Sequence, residues 1–130
     1  MPSTTAAVAT EQAPAAIGPY SQAVAAGEFV FVSGQLPINP ATGLIEATDA
    51  AGQALQSIAN IEAILLAAGL TLAHVVKTTV LLADIADFGA VNAAYASRFT
   101  GDVLPARAAY QVVALPKDAL VEIEAIAARS

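Results

Sequence analysis

Two stripes of apolar residues at helical spacing, with a Val- and Thr-rich run between them, constrain this chain most. Leu55, Ile58, Ile61 and Leu65 form the first stripe, and Phe88, Val91, Tyr95 and Phe99 the second. Thr48 or Asp49 stands where an N-cap belongs and Gly69 where a C′ glycine belongs, so the spacing predicts a helix over residues 49–68. A second helix is predicted over residues 87–99, with Gly101 just beyond it. The run between them, residues 74–83, reads as a well-buried strand. Two amphipathic helices must each lay one face on a sheet, which gives an α+β two-layer sandwich. Both helices lie on one side, so the other side of the sheet is left for a partner.

The remaining segments fit around that frame. Residues 24–26 and 29–33 are short strands joined at Gly27-Glu28 as a hairpin. Residues 34–43 carry Pro37, Asn39, Pro40 and Gly43 and read as loop, with Leu44-Ile45 a short strand after it. Two more strand-like runs close the chain, residues 108–113 and 120–126, with Leu115-Pro116-Lys117-Asp118 turning between them. Residues 1–12 read as a flexible tail before a single domain over 13–130. The predicted order is β-β-α-β-α-β-β.

Composition narrows the function classes. Of the 130 residues 57% are hydrophobic, a high share even after discounting the many alanines, and this points to an oligomer. Five Lys and Arg against eleven Asp and Glu give a net charge of −6, too little positive charge for phosphate backbones or anionic membranes. The N-terminus lacks the basic and apolar regions of a signal peptide, and the most apolar stretch, residues 63–76, is interrupted and too short to span a bilayer. A cytoplasmic protein is expected. Cys is absent and His74 is the sole histidine, so neither a Zn site nor a Ser-His-Asp triad is expected, and His74 reads as a structural residue at a strand start. No nucleotide-binding glycine motif is present.

Among so few cations Arg107 stands out, at the end of Leu104-Pro105-Ala106-Arg107 where a strand begins. It is either a planar fork for a small carboxylate or a surface arginine in an intramolecular ion pair. Glu122 and Glu124, two apart on the next strand along the chain, share a face. They are either edge charges that discourage aggregation or the source of a general base that activates water. Ile17-Gly18-Pro19-Tyr20-Ser21-Gln22 is a turn entering a strand. In Ser33-Gly34-Gln35 the glycine permits close approach of a ligand to the backbone.

These segments together resemble the RidA (YjgF) family. The resemblance rests on residues 13–23, Val32-Ser33-Gly34-Gln35-Leu36-Pro37, Asn60, Lys77-Thr78-Thr79-Val80, Val91-Asn92, Pro105-Ala106-Arg107 and Val121-Glu122-Ile123-Glu124-Ala125, in order along nearly the whole chain. It implies a chorismate-mutase-like fold, a mixed sheet with two helices on one face, assembled as a homotrimer with active sites in the clefts between subunits. It implies hydrolysis of 2-aminoacrylate and related 2-imino acids to 2-keto acids and ammonia, with no cofactor and no metal. By position, Arg107 would hold the substrate carboxylate and Glu122 would activate water. Tyr20, Ser33 and Gly34 would line the pocket, with Asn92 steadying it from the second helix. Ala109 stands where active members commonly carry a cysteine whose backbone faces the substrate. The alternative is a trimer that binds small carboxylates such as 2-ketobutyrate, or acts as a chaperone, without catalysis. Ribonuclease activity, reported for some relatives, is disfavoured by the acidity of the chain.

Overall fold

The computed structural model describes residues 5–129. Ten elements follow in order: β1 (Thr5–Val8), β2 (Ala23–Ala26), β3 (Phe29–Gln35), β4 (Ile38–Asn39), β5 (Leu44–Ile45), α1 (Ala50–Ala67), β6 (Val75–Leu82), α2 (Phe88–Arg98), β7 (Ala106–Gln111) and β8 (Val121–Ala128). Six strands form one mixed sheet in the order β1-β2-β3-β8-β6-β7, and β4 and β5 form a separate two-stranded ribbon. Only β6 and β7 run parallel, because α2 carries the chain back between them. The architecture is the expected α+β sandwich.

Alternation along the central strands separates the two faces of the sheet. Val121, Ile123, Ala125 and Ala127 of β8, Val30 and Val32 of β3, and Val80 and Leu82 of β6 are buried beneath the helices. Phe29 and Phe31 of β3 and Tyr110 of β7 stand exposed. Helix α1 packs on β3 and β8 and against α2. Its start is fixed by Asp49, whose Oδ1 accepts from the Gly52 N–H at 2.8 Å, and Gly69 ends it with a φ of 78°. An ion pair of 2.8 Å between Arg98 and Glu62 ties α2 to α1 across their partly exposed rims.

Several expectations shift. The first stripe begins at Ala54 rather than Leu55: Ala54, Ile58, Ile61 and Leu65 are fully buried, whereas Leu55 faces outward. Strand β6 starts at Val75. His74 closes a single 3-10 turn instead, its Nδ1 accepting from the Thr71 N–H at 3.0 Å. Part of the expected tail is also structured. Residues 5–8 pair antiparallel with β2, from Thr5 opposite Ala26 to Val8 opposite Ala23. Their small side chains are mostly exposed, so the strand rests on backbone pairing and leaves no apolar alternation to read. The buried Gln22 side chain anchors the following loop, accepting from Thr10 N–H at 2.7 Å and donating to Thr10 and Pro14 carbonyls at 3.0 and 2.8 Å. Residues 1–4 lie outside the described part.

Candidate active site

The residues singled out in the sequence fall into two groups, and the sheet lies between them. The first group surrounds a cleft of about 820 Å³ whose lining includes Tyr20, Ser33, Gly34, Lys117, Glu122 and Glu124. Glu122 alternates with buried Val121 and Ile123, so it points away from the helices. Its side chain crosses Gly34 so closely that a Cβ on Gly34 would stand 2.6 Å from Oε2. A side chain at position 34 would therefore force the Glu122 carboxylate to move. Ser33 Oγ donates to the Ser21 carbonyl at 2.6 Å, and the Ser33 N–H donates to the Gln22 carbonyl at 2.9 Å. These two bonds clip the Tyr20-bearing turn to β3 and leave the Tyr20 ring about half exposed at the cleft. Burial first, and then the charge of Glu124, push the Glu122 carboxyl above its ordinary value.

The second group lies on the helix side. Arg107 of β7 is in register with Thr78 of β6, and Thr78 Oγ1 is hydrogen-bonded to the Tyr95 hydroxyl of α2 at 2.7 Å. Arg107 Nη1 donates to Asn92 Oδ1 at 2.7 Å. Its guanidinium carbon stands 4.9 Å from the Tyr95 ring centre and 5.5 Å from that of Phe88. Ala109, two residues on, is opposite Val80 and half-buried against the core. The ion-pair reading of Arg107 does not hold, since its hydrogen-bonded side-chain partner is a neutral amide. Among the described residues Arg107 has no ion-pair partner.

Strands β7 and β8 are successive in the chain, but β6 separates them. Thr78 is the neighbour of both Arg107 and Ala125, and Glu122 pairs with Leu81. The Cα atoms of Arg107 and Glu122 are thus roughly 14 Å apart by strand and residue spacing, with side chains on opposite faces. One chain alone cannot bring the two onto one small molecule. Among the described residues, no cluster of three or more His, Cys, Asp or Glu is placed to hold a metal ion. Among the described residues, no helix is long and apolar enough to cross a membrane.

Known proteins share this sequence and fold. The family model described as endoribonuclease L-PSP matches residues 10–129. The chain is 52% identical over 124 residues to an Escherichia coli K12 protein named 2-iminobutanoate/2-iminopropanoate deaminase, covering 94% of this chain and 96% of the relative. A Rattus norvegicus protein of the same name is 54% identical over 120 residues, 92% of this chain and 87% of that one. The crystal structure of the E. coli YjgF gene product superposes with a TM-score of 0.92 at 51% identity, covering 96% of this chain and 99% of the other. The chain belongs to the RidA family.

For a RidA-family cleft the structure adds two features that the sequence did not single out. Lys117 reaches the Glu122 cleft from a turn in which it and Asp118 both hold left-handed backbone, with φ of 59° and 55°. Tyr95 sits in the core as expected and also stands against Arg107, whereas Phe88, expected on the same core face, is partly exposed beside Arg107. Their i, i+7 spacing, with Asn92 between them, was the available signal.

Proposed function

We propose that this protein hydrolyses 2-imino acids, among them 2-iminopropanoate (with its enamine tautomer 2-aminoacrylate) and 2-iminobutanoate, to 2-keto acids and ammonia. The reaction takes place between copies of the chain in a homotrimer. The observation that carries the reading is the split constellation: Arg107, without an ion-pair partner among the described residues, on one face and a carboxylate in a cleft on the other. A second copy set against the uncovered face unites them. The names of the E. coli and rat relatives support the same reaction.

The chemistry needs one cation and one base. The Arg107 fork holds the substrate carboxylate through two N–H donors. Glu122 of the neighbouring copy accepts a proton from water as its oxygen bonds to the imine carbon, and the C=N electron pair moves onto nitrogen. Glu122 gives that proton to nitrogen, forming a carbinolamine; it then takes the hydroxyl proton and passes it to the same nitrogen, so the C–N bond breaks with its electron pair on nitrogen, the carbonyl forms and ammonia leaves. Tyr20 and the Gly34 backbone wall the cleft, Asn92 holds Arg107, and the Ala109 backbone flanks the carboxylate. No redox step, metal or cofactor enters this balance.

The test uses imine generated in place by an amino-acid oxidase, with keto acid or ammonia release as the readout. Arg107→Ala is expected to abolish the acceleration; an unchanged rate would remove Arg107 from the site. Carboxylate binding without catalysis is the second reading, because the Arg107 fork and the same cleft would hold a 2-keto acid whether or not water is activated. Glu122→Gln separates the two. Loss of turnover with 2-ketobutyrate binding retained supports hydrolysis, and a wild-type protein that binds but never turns over supports the second reading. Endonuclease action, the family model's description, draws no support from a chain with five Lys and Arg and net charge −6.

A further inference from the structure

We infer that Tyr95 is a positioning residue, and that its ring together with that of Phe88 sets the direction in which Arg107 presents its fork. This rests on the reading of Arg107 as the carboxylate holder. Phe88, Asn92 and Tyr95 fall at i, i+4 and i+7 on α2, one stripe of a helix. That stripe meets Arg107 at three points: the Phe88 ring at 5.5 Å, the Asn92 amide oxygen at 2.7 Å and the Tyr95 ring at 4.9 Å. Arg107 lies on β7, an edge strand, and is itself exposed. A long side chain in that position samples many rotamers unless something confines it. Asn92 is exposed and fixes one nitrogen only.

The Tyr95 ring differs from the other two contacts because it is itself immobile. Tyr95 is 7% exposed, its hydroxyl is bonded to the buried Thr78 at 2.7 Å, and its ring stacks on Phe99 with centres 4.5 Å apart. Thr78 in turn is the register partner of Arg107. Helix and strand thus close a small loop of contacts, Arg107 to Tyr95 to Thr78 and back through the sheet. Aromatic faces attract a guanidinium without consuming its N–H donors, so the fork is steadied while its hydrogen-bonding edge stays open to a carboxylate.

The test compares Tyr95→Leu, which stays apolar but loses the π face, with Tyr95→Phe, which keeps the face and loses the hydroxyl. In Tyr95→Leu, KM for the imine and the dissociation constant for 2-ketobutyrate are expected to rise roughly three- to tenfold with kcat little changed, and Tyr95→Phe is expected to restore most of that loss. Equal losses in both variants, or a fall in kcat alone, would overturn the inference, since either would mark a packing role. Should Tyr95→Leu fail to fold, the more exposed Phe88→Leu carries the comparison against Phe88→Tyr. A readout free of ligand is the mobility of the Arg107 Nε–H by nitrogen-15 NMR. Greater mobility in Tyr95→Leu than in Tyr95→Phe supports the inference, and equal mobility overturns it. If wild-type protein neither binds 2-ketobutyrate nor turns over imine, the imine-hydrolase reading fails, and the NMR comparison still decides the role of Tyr95.

Discussion

Gly34 and Glu122 are one device. The carboxylate lies where a Cβ on residue 34 would be, at 2.6 Å from Oε2, and the colliding atoms belong to a flexible side chain. Gly34→Ala is therefore expected to fold with a stability loss of about 1 kcal/mol or less while swinging Glu122 out of line. Turnover should fall at least roughly tenfold with 2-ketobutyrate affinity held, read by thermal unfolding, kinetics and calorimetry. The raised Glu122 pKa has a signed consequence for stability. The folded chain holds this proton more tightly than the unfolded one. The stability this group contributes is full below the ordinary value of 4.5 and is lost as pH rises through the raised folded value. Glu122→Gln should flatten that part of a stability-against-pH curve, and a curve unchanged by the substitution would show that the carboxyl is not buried as described.

Asn60 on α1 shows how an element shapes the cleft from behind. It is 1% exposed, and its Nδ2 donates to the carbonyls of Leu36 and Ile38 at 3.1 and 2.9 Å, holding the chain between β3 and β4 where Leu36 and Ile38 line the cleft. Asn60→Ala removes both donations, though the Leu36 carbonyl keeps the Ile38 N–H at 2.8 Å, and should cost about 1–3 kcal/mol in denaturant unfolding. The helices were legible in the sequence because their stripes, the Asp49 cap and Gly69 act locally. Strand β1 was not, because pairing with β2 gives Thr5, Ala6 and Ala7 no burial to reveal. The candidate site residues stood out in the sequence as residue types, and only the family resemblance pointed to their arrangement between copies. That Arg107 and Glu122 face apart depends on β6 standing between β7 and β8, and nothing in residues 106–128 encodes the insertion of a strand from residues 75–82.

At the scale of the whole molecule, the split constellation makes a prediction that no single-chain site shares. Arg107→Ala and Glu122→Gln proteins, each inactive alone, should regain activity when unfolded together and refolded as mixed trimers. In the proposed trimer each site would draw one residue from each of two copies, so equal random mixing should give about one quarter of the wild-type rate. No recovery in mixtures shown by native mass spectrometry to have exchanged would place the site within one chain. Strand order has a further consequence, for biosynthesis. The central position between β3 and β6 belongs to β8, which follows all the other described strands along the chain. Until residues 121–128 emerge, β3 and β6 each keep an open edge, and the helices have no continuous floor to settle on. A stop before residue 121 would remove both the keystone of the sheet and Glu122 in the same stroke.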